Sequence, residues 1–597
     1  MDKHAALTHS TSWHEGEVAI QRRAGVAEQM APIASYVNID RLADQHRRFF
    51  PQLPFAAAGT VAANGDAWAT ILCGHPGFLQ SPDPGRLRVQ AHISPSDPAR
   101  AGLGHGDAIG LLGIELHTRR RNRLNGAIQR IGSDTDAFDI VVEQSYGNCP
   151  QYIHRREYSF ARDPAQDAAL PAQALATLDA HAIEMIRNAS TFFIASYVTL
   201  ENGRRQVDVS HKGGRPGFVG VDRDNVITIP DYAGNLYFNT LGNIYVNPKC
   251  GLVFVDFETG DMLQLTGDAT VIMDAPEMDA FQGAEHFIKF IPRGIVFRPG
   301  ALPLRWTSTP QGISPSVSRT GTWTEAKAQL DALDALKASW RPFKINKIAD
   351  ECALVRSLYL LPDDGAGLLP HQAGQHIAVR VALPNTNEFS VKPYALSSAM
   401  QDKVYRLSFK REGAVSQFLS TLKVGDIVEA HAPAGTFTID AYSPKIAVLI
   451  AAGIGIAPIL AMLRHIVHEG LRTGRMRPTR LIYAARAKAE RAFDQEIESL
   501  VKAAHGAVRL TRLLSDMSSA ASSDYDIAGR IDLDVLRAYL PVDDHDLQDG
   551  HDFYICGPAA FTQDLYELLR KVGVADSSIH SELSATGAAG NETGLEV

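Results

Sequence analysis

The residues best placed to bind a ligand form a Gly-x-Gly turn between an apolar run and a helix. Ile446–Ile450 is continuously apolar, as in a strand buried on both faces of a parallel sheet. Gly453 and Gly455 allow a tight backbone turn, and Pro458 suits the first turn of the helix that follows. Free backbone N–H groups at such a helix start bind phosphate. The uncharged stretch 446–463 is long enough for a membrane span, but the strand-turn-helix pattern argues against one.

Two later segments repeat the pattern of a strand followed by a loop. Arg480–Ala485 predicts a strand that ends at Arg486, and His551–Ile555 predicts one that ends in Cys556-Gly557-Pro558. Strands that alternate with helices form a doubly wound parallel sheet, whose ligands bind beyond the carboxyl ends of the strands. Because Gly453, Arg486 and Cys556 all follow such ends, the sequence predicts one nucleotide site.

Upstream, Phe343–Phe437 alternates apolar residues with Gly-Asp and Pro-x-Gly turns, which predicts a small antiparallel barrel. It contains Lys392-Pro393-Tyr394-Ala395-Leu396-Ser397 and, later, Gly413-Ala414-Val415-Ser416 at the start of a helix. Together with the downstream Gly-x-Gly and Cys-Gly-Pro turns, this order of motifs resembles the ferredoxin–NADP reductase family, including the reductase halves of flavohaemoglobins and oxygenase reductases. The resemblance covers about residues 340–583.

The resemblance implies FAD and NAD(P)H as cofactors and gives roles to the barrel residues. The ring of Tyr394 would pack on the isoalloxazine, and Lys392, in place of the family's arginine, would meet a flavin phosphate as a point charge. Ala395 replaces the family's hydroxyl near N5, so that hydrogen bond would come from backbone or from Ser397. Gly413–Ser416 resembles the second phosphate contact.

For the residues expected near the nicotinamide, the sequence leaves alternative roles open. Ala457 replaces the usual threonine of the turn. Cys556 resembles the family's cysteine beside the nicotinamide, with a buried small apolar side chain as the alternative. Glu582 resembles the near-terminal acidic residue close to the flavin, with a solvated tail carboxylate as the alternative. Arg486 would meet a 2'-phosphate or cap a helix, which leaves NADH and NADPH both open.

The resemblance thus implies catalytic roles for Tyr394, Cys556 and Glu582. The full cofactor-binding set predicted for this half of the chain is Lys392, Pro393, Tyr394, Ala395, Leu396, Ser397, Gly413, Val415, Ser416, Gly453, Ile454, Gly455, Ile456, Pro458, Arg486, Cys556, Gly557 and Pro558.

The first 300 residues contain an internal repeat. Pro76-Gly77-Phe78 recurs as Pro216-Gly217-Phe218, and Leu124-Asn-Gly126 recurs as Leu265-Thr-Gly267, at a nearly constant offset of about 140 residues. Each copy has short strands and tight turns, which predicts a small β-barrel. A duplication of one unit explains such an offset.

The second copy resembles the FMN-binding split barrel of pyridoxamine 5'-phosphate oxidase-like proteins. Members of that superfamily pair two barrels and bind flavin between them, so a tandem repeat implies an intramolecular pseudo-dimer. The predicted phosphate cluster is Ser210, Lys212 and Arg215 beside two glycines, with a basic hairpin in solvent as the alternative. The first copy lacks these cations at Leu72–His75, so we expect one cleft to be empty.

The resemblance to the split-barrel superfamily also leaves haem open as a ligand of the N-terminal barrels. Lone histidines such as His14, His75 and His154 most often satisfy local hydrogen bonds, and no metal cluster is predicted. The run Arg119–Arg123 is most simply a solvated turn or strand end, with a phosphate grip as the alternative.

Composition excludes some classes of function. A net charge of −9 gives no basic footprint for nucleic acid. No apolar signal core opens the chain and no span is expected, which predicts a cytoplasmic protein without a membrane partner. The scattered cysteines suit a reducing compartment and exclude a plant-type iron–sulfur run: Cys73, Cys149, Cys250, Cys352 and Cys556.

The predicted fold is multidomain: tandem split β-barrels, all-β with flanking helices, then an antiparallel β-barrel flavin domain and an α/β doubly wound nucleotide-binding domain. The expected boundaries are a first repeat with an N-terminal extension at 1–165, a second repeat at 166–300, a linker at 301–339, the flavin barrel at 340–440, the nucleotide domain at 441–585 and a disordered tail at 586–597.

The sequence predicts an NAD(P)H-dependent flavoprotein oxidoreductase. Electrons would pass from nicotinamide through FAD to a small-molecule or protein acceptor in or near the N-terminal barrels, which could themselves hold FMN. Two alternatives stay open. One is a haem- or FMN-dependent oxygenase or oxidase fused to its own reductase. The other is a flavin- or haem-binding docking module that localises a reductase.

Overall fold

The computed structural model describes residues 13–34, 39–131, 137–309, 312–384, 388–539 and 550–583. The chain divides into two compact units, Met1–Asp331 and Ala332–Val597. The predicted tail at 586–597 lies outside the described residues.

The N-terminal unit is mostly β-structure. Its helices are α1 (Glu15–Arg23), α2 (Ala27–Met30), α3 (Asp44–Phe49), α4 (Ala180–Asn188), α5 (Asn239–Val246), α6 (Pro276–Ala280) and α7 (Trp323–Ala338), the last of which runs past the boundary between the units. Its strands are β1 (Phe55–Val61), β2 (Ala67–Cys73), β3 (Leu79–Gln80), β4 (Arg86–Gln90), β5 (Ala108–Glu115), β6 (Arg120–Arg130), β7 (Ala137–Gly147), β8 (Arg156–Phe160), β9 (Gln173–Leu175), β10 (Thr191–Thr199), β11 (Arg205–Gly213), β12 (Gly220–Val221), β13 (Ile227–Tyr232), β14 (Lys249–Val255), β15 (Met262–Ile272), β16 (Ala284–Arg298) and β17 (Leu304–Ser308).

The sequence repeat corresponds to two antiparallel sheets with one strand order. The first sheet runs β2-β1-β5-β6-β7-β4-β3 and the second runs β11-β10-β14-β15-β16-β13-β12, with β9 added beside β16. The pairings of β6 and β15 shift register at matching places, next to Gly126 and Gly267. The turns after β2 and β11 also match, because a Cβ on Gly74 or on Gly214 would clash with the phenylalanine four residues later.

The two sheets share a hydrophobic cluster in addition to their own cores. In this cluster Ala57 and Leu112 of the first repeat pack with Phe193 and Val253 of the second. Small residues bring the backbones close, since a Cβ on Gly59 would lie 3.0 Å from the Cβ of Ala195 in the other repeat. The repeats therefore pack face to face through side chains that alternate with those of their own cores.

The segment predicted as a linker, 301–339, begins as ordered structure. Leu304–Ser308 forms β17, which pairs antiparallel with β8. Trp306 is buried and its ring makes edge contacts with the rings of Phe55 and Phe257. The sequence pattern missed this strand because its apolar residues stand alone among Pro, Ser and Thr, and its partner lies far away in the chain.

The C-terminal unit combines an antiparallel barrel with a parallel sheet. Its elements are β18 (Arg341–Asp350), β19 (Val355–Pro362), β20 (His376–Ala382), β21 (Phe389–Ala395), β22 (Tyr405–Lys410), α8 (Ala414–Thr421), β23 (Ile427–Ala430), β24 (Ile446–Ala452), α9 (Ile456–Thr473), β25 (Thr479–Ala485), α10 (Asp494–Ala503), β26 (Val508–Leu514), β27 (Ile527–Ala528), α11 (Leu533–Tyr539), β28 (His551–Gly557), α12 (Ala559–Lys571) and β29 (Ile579–Leu583).

The strand orders confirm the fold predicted for this half of the chain. The antiparallel sheet runs β21-β20-β23-β18-β19-β22, and the parallel sheet runs β27-β26-β25-β24-β28-β29. The apolar stretch at 446–463 forms β24, a tight turn and the start of α9. α9 is long and apolar enough to cross a membrane, but it is mostly buried inside the unit, as the core helix of a folded domain is.

A partly buried ion network joins the barrel to the parallel sheet. Arg406 on β22 is buried and donates to both carboxylate oxygens of Glu496 on α10, at 2.7 and 3.1 Å. Arg464 on α9 also donates to Glu496, and its Nε donates to Asp402 at 3.0 Å. Burial disfavours the charged form of Glu496, but the two guanidinium groups outweigh this and lower its pKa. One carboxylate thus connects three elements.

We expect Glu496→Gln to destabilise the C-terminal unit by about 3 kcal/mol, because it leaves the buried charge of Arg406 without its counter-ion. Since the pKa of Glu496 is lowered on folding, the stabilisation is present at neutral pH and is lost as the pH falls through the lowered pKa. Calorimetry of the full chain at pH 7 measures the loss.

The matched control is Glu498→Gln on the same helix, since Glu498 makes an exposed pair with Arg512. That change should cost less than about 1 kcal/mol. Equal losses in the two variants would show that the network contributes no more than a surface ion pair.

Candidate functional site

The predicted nucleotide site forms at one edge of the parallel sheet. β24 lies between β25 and β28, and all three run parallel. Gly453, Arg486 and Cys556 therefore lie at neighbouring strand ends, as the sequence predicted. Arg486 is exposed there. Its backbone oxygen accepts from the amide of Asp516 at 2.7 Å, so the loop after β26 borders the same edge.

The two glycines of the turn are required for different reasons. Gly453 has φ +54° and open space where a Cβ would stand, so it provides a left-handed backbone at an exposed position. A Cβ on Gly455 would lie 2.2 Å from the backbone oxygen of Cys556. Gly455 thus allows the turn to pack against the end of β28, while Gly453 leaves open space at the exposed edge of the turn.

The predicted flavin residues come together where β21 meets the N-terminus of α8. Tyr394 is buried in the barrel core, whereas Lys392, two residues earlier on β21, is exposed, and the hydroxyls of Tyr394 and Ser416 lie 3.0 Å apart. Burial raises the pKa of Tyr394, so its phenol stays protonated. Lys392 is exposed and makes no hydrogen bond or ion pair with a described residue. Gly413 caps α8 with φ +81° and open space beside it.

Part of the predicted flavin set is committed to the interior of the barrel. Leu396 and Ser397 are fully buried and Val415 is also in the core. The hydroxyl of Ser397 accepts from Nε of Arg406 at 2.8 Å and lies 2.6 Å from the hydroxyl of Ser408. The prediction that Ser397 replaces the hydroxyl missing at Ala395 is therefore wrong, because that group is used inside the protein.

The two predicted catalytic residues of the parallel sheet differ in exposure. Cys556 is buried in the core of the sheet, and burial raises the pKa of its thiol, which stays protonated. This fits the alternative of a small apolar side chain. Glu582 lies opposite Cys556 on β29 and is partly exposed, so it belongs to the sheet edge and not to a tail.

His376 is a candidate site residue that the sequence analysis missed. Its Nδ1 lies 3.5 Å from a carboxylate oxygen of Glu582, which links the first residue of β20 to the parallel sheet. It follows directly after the Ala373-Gly374-Gln375 turn. No spacing in the sequence relates a histidine in a barrel strand to a carboxylate near the end of the chain.

The N-terminal unit has a cavity of about 140 Å³ between its two sheets. Ser210 and Lys212 of the predicted cluster line it from β11, and Arg121 and Arg123 line it from β6 of the first repeat. Most of the arginine run thus lies at a strand end, one of the predicted alternatives, but two of its side chains line a cavity. Tyr152 belongs to another wall, where its ring packs on the ring of Tyr232 with centroids 5.1 Å apart.

Arg215 does not belong to this cluster. Its guanidinium donates to the carboxylate of Glu325 at 2.9 Å and to the backbone oxygen of Thr320 at 2.8 Å. Lys212 does line the cavity, but its ammonium pairs with Asp231. The prediction of a phosphate site with two cations beside the glycines is thus wrong, because Lys212 is neutralised by Asp231 of the second repeat and Arg215 by Glu325 of α7.

Among the basic side chains that line the cavity, Arg121 pairs with no carboxylate of the described residues. Its Nε donates to the backbone oxygen of Cys149 at 2.7 Å, whereas the neighbouring Arg123 is paired with Asp208 at 3.0 Å. Burial and the charge of Arg123 lower the pKa of Arg121 to about 10, so it remains charged at neutral pH. Its terminal nitrogens make no hydrogen bond with a described residue.

His211 lines the same cavity without a hydrogen-bond partner. It is 6% exposed, and neither ring nitrogen bonds a described residue. Burial and the nearby charge of Arg121 hold its pKa well below the usual range, so the ring is neutral. The histidines named from the sequence behave differently: Nδ1 of His14 accepts from a backbone amide and Nε2 of His154 lies 3.0 Å from the oxygen of Gly214.

The equivalent cleft of the other repeat is lined differently. The matched register shifts put Met262 where Arg121 stands, and the matched turns put Leu72 where Lys212 stands. Both line a cavity of only about 40 Å³. Apolar side chains thus replace the two basic ones, in agreement with the first copy's missing cations.

A satisfied polar network fills the rest of this second cleft. The carboxylate of Asp97 accepts from Oγ1 of Thr70 at 2.5 Å, Nε2 of Gln264 at 3.0 Å and Nη1 of Arg298 at 2.8 Å. Buried polar groups with all these partners have no need of a ligand. Among the described residues, no group of three or more His, Cys, Asp or Glu side chains is placed to hold a metal ion.

Two family models match the C-terminal unit: the oxidoreductase FAD-binding domain at 343–439 and the oxidoreductase NAD-binding domain at 449–566. This part of the chain therefore carries the FAD- and NAD-binding domains of the ferredoxin reductase-like family, and it is an NAD(P)H-dependent oxidoreductase module. The unpaired Lys392, the capped start of α8 and the open Gly453 fit the phosphates of these cofactors.

The chain is similar to flavohemoproteins over less than half its length. That of Bacillus subtilis (strain 168) is 34% identical over 250 residues, which are 41% of this chain and 59% of the relative. That of Bordetella pertussis is 32% identical over 283 residues, 46% of this chain and 64% of the relative. The chain thus spans about 60% of the length of these relatives.

The chain is also similar to a solved structure, the flavohem-like FAD/NAD binding domain of nitric oxide dioxygenase from Vibrio cholerae O1 biovar El Tor. It is 31% identical, with a TM-score of 0.36, and the match covers 41% of this chain and 98% of that domain.

We expect Gly453→Ala to weaken NAD(P)H binding by about tenfold, because the methyl group enters the space that faces the ligand, and tenfold corresponds to about 1.4 kcal/mol. Gly474→Ala is the matched control. Gly474 ends α9 with φ +73° and open space, so both substitutions should cost about 1 kcal/mol of stability. Rapid-mixing titration of flavin reduction against NADH and NADPH measures the binding. Equal effects of the two variants would place the nucleotide elsewhere.

Proposed function

We propose that the whole chain passes electrons from NAD(P)H through FAD to an acceptor held in the cavity of the N-terminal unit. The single observation that supports the acceptor site is the cavity between the sheets, in which Arg121 keeps an unpaired charge and His211 has no partner. Polar groups that are buried without partners are costly, so a ligand that pairs them is the simplest reason for their presence.

The reductase part of the proposal uses the chain's own residues for binding and orientation. Lys392 neutralises a flavin phosphate, and the start of α8 offers free backbone N–H groups to phosphate. Tyr394 and Ser416 hold each other by a hydrogen bond, which fixes the tyrosine ring for packing on the isoalloxazine. When bound, FAD would accept a hydride as two electrons and could pass them on one at a time.

In our proposal the acceptor in the N-terminal cavity is FMN. Arg121 and Ser210 would contact its phosphate, and the pair of Tyr152 and Tyr232 offers an aromatic wall for a planar ring. The N-terminal sheets would then act as two split barrels paired within one chain. Because Asp97 and its partners fill the equivalent cleft, one FMN per chain is expected.

A second candidate is a haem-dependent oxygenase or oxidase fused to its reductase. His211 supports it, since a neutral imidazole with two free nitrogens is also suited to bind iron. The name of the similar flavohemoproteins refers to haem. The chain spans only about 60% of their length, so this name by itself does not assign haem to the chain. In both cases we propose a cytoplasmic location, which the five unpaired cysteines support.

We expect the purified full chain to contain one FAD and one FMN, and Arg121→Gln to lose FMN about 10- to 100-fold more readily while it keeps FAD. The reason is the loss of a charge-assisted contact worth roughly 1.5–3 kcal/mol. Arg120→Gln is the control, because the Arg120 side chain lies over the ring of Phe49 and does not line the cavity.

Chromatographic analysis of the released flavins gives the count, and the absorbance spectrum tests for haem. A haem Soret band with FAD alone would favour the second candidate. FAD without FMN or haem would contradict an acceptor in the cavity and favour a docking role.

We expect Lys392→Ala to weaken FAD retention by about 10- to 100-fold, through loss of a charge-assisted contact of roughly 1.5–3 kcal/mol. Lys392→Arg should retain FAD at least as well as the parent, because the guanidinium adds a bidentate contact. The control is Lys423→Ala, an exposed lysine of the same barrel. Equilibrium dialysis compares the variants, and unchanged retention in Lys392→Ala would place the FAD phosphate elsewhere.

A further inference from the structure

The N-terminal helix α1 carries a buried carboxyl group just behind one wall of the N-terminal cavity. Glu17 is 1% exposed, and both of its oxygens accept hydrogen bonds. One accepts from Nδ2 of Asn239 on α5 at 2.5 Å, and the other accepts from the backbone amide of His14 at 3.0 Å. Because α1 precedes both repeats, this group is an addition to the duplicated unit. Burial of a carboxyl group is costly, so its presence calls for an explanation.

α1 and α5 pack closely enough to hold Glu17 in one place. A Cβ on Gly16 would lie 2.1 Å from the backbone oxygen of Gly242, and a Cβ on Gly242 would lie 2.6 Å from the backbone nitrogen of Glu17. The two glycines thus allow the helix backbones to touch. Asn239, the first residue of α5, lines the cavity. The position of α1 is therefore transmitted directly to the cavity wall.

A chain of hydrogen bonds runs from Glu17 to the cavity. Oδ1 of Asn239 accepts from the hydroxyl of Tyr146 at 3.2 Å, and that hydroxyl accepts from Nη1 of Arg123 at 3.1 Å. Nη2 of Arg123 donates to the hydroxyl of Ser210, which lines the cavity. Because the amide nitrogen of Asn239 donates to Glu17, its oxygen is turned toward Tyr146. Glu17 thus sets the orientation of the first group in this chain.

The chain ends in a hydroxyl that is left to donate into the cavity. Ser210 accepts from Arg123 and also from Oγ1 of Thr240 at 2.9 Å, so its own proton remains for a ligand. In the other cleft, the matched turns after β2 and β11 make Thr70 the equivalent of Ser210. The hydroxyl of Thr70 donates to the carboxylate of Asp97. The equivalent cleft therefore has an anionic oxygen at the place that the Ser210 hydroxyl faces.

We propose that Glu17 positions the Ser210 hydroxyl to donate to the phosphate of the cavity's ligand, and that it does so as a neutral carboxylic acid. This rests on the proposed function, because FMN is taken as that ligand. When Glu17 is neutral, Arg123 and Asp208 compensate each other, and the charge of Arg121 attracts the phosphate. An ionised Glu17 cancels that attraction, since it adds a second buried negative charge beside Asp208.

The groups that face Glu17 favour its neutral form. Burial and the charge of Asp208 on β11 raise the pKa of Glu17 to about 8, although Arg123 on β6 and the two hydrogen bonds oppose the shift. His14 on the same turn adds no charge, because burial lowers its pKa. Burial raises the pKa of Tyr146 on β7, so its phenol stays protonated. Glu17 is therefore neutral at pH 7 and ionises as the pH rises through about 8.

The test measures FMN affinity of the full chain at pH 7 and pH 9. Equilibrium dialysis is run with FAD present, and chromatography separates the two flavins. The affinity of the parent for FMN should fall about tenfold, because about one in ten Glu17 groups stays neutral one unit above the pKa. Glu17→Gln keeps a neutral acceptor for Asn239 and should change by less than about twofold. The FMN phosphate is dianionic over this range and does not titrate.

Two controls isolate the carboxyl group and the phosphate. Glu15→Gln changes an exposed carboxylate in the same turn of α1 and should keep the parent's fall in FMN affinity. Riboflavin, which lacks the phosphate, should bind the parent and Glu17→Gln equally at each pH. The pKa of Arg121 is lowered to about 10, so its charge begins to titrate near pH 9, but it does so equally in every variant.

Two further measurements separate position from charge. Glu17→Leu removes the acceptor of Asn239 and should lose about tenfold of the FMN affinity at pH 7, with riboflavin binding unchanged. In weakly buffered solution at pH 8.5, FMN binding should take up protons in the parent and not in Glu17→Gln. Equal pH dependence in the parent and Glu17→Gln, parental FMN affinity in Glu17→Leu, or no proton uptake would overturn the role of Glu17. Failure of the parent to bind FMN at either pH would instead refute the proposed function.

Discussion

The C-terminal unit depends on the partly buried carboxylate of Glu496. The residues suited to FAD lie in the antiparallel barrel, and those suited to the nucleotide lie at the edge of the parallel sheet. Arg406 of the barrel is nearly inaccessible to solvent and would be strongly destabilising without a counter-ion. Glu496 satisfies it by two hydrogen bonds and also binds Arg464, so one carboxylate joins a strand of the barrel to two helices of the parallel-sheet domain.

The N-terminal unit shows how one fold can hold two different clefts. The repeats share strand order and register shifts, so their backbones offer equivalent positions. Side chains decide the difference: Arg121 and Lys212 on one side correspond to Met262 and Leu72 on the other. Where the basic residues are missing, Asp97 and its partners complete a polar network. The same backbone thus carries a basic cavity in one place and a polar network in the other.

The sequence predicted what depends on local pattern and missed what depends on pairing between distant segments. The Gly-x-Gly turn, the parallel sheet and the repeat follow from periodicity and motif order, and they are found in the structure. Arg215 and Ser397 were predicted as ligand residues, but Glu325 and Arg406 occupy their polar groups. His376 was missed, since only the pairing with Glu582 links it to the parallel sheet.

Polar groups without a partner among the described residues distinguish the candidate site residues from their neighbours. Most arginines of the chain that are buried donate to carboxylates or backbone oxygens, as buried polar groups in folded proteins do. Lys392 in the barrel and His211 in the N-terminal cavity do not, although each lies among groups of complementary chemistry. Leaving a buried group such as His211 unpaired costs roughly 1–3 kcal/mol, which binding of a ligand recovers. Hydrogen-bond satisfaction, which no sequence motif encodes, is thus what separates Lys392 and His211 from the committed side chains around them.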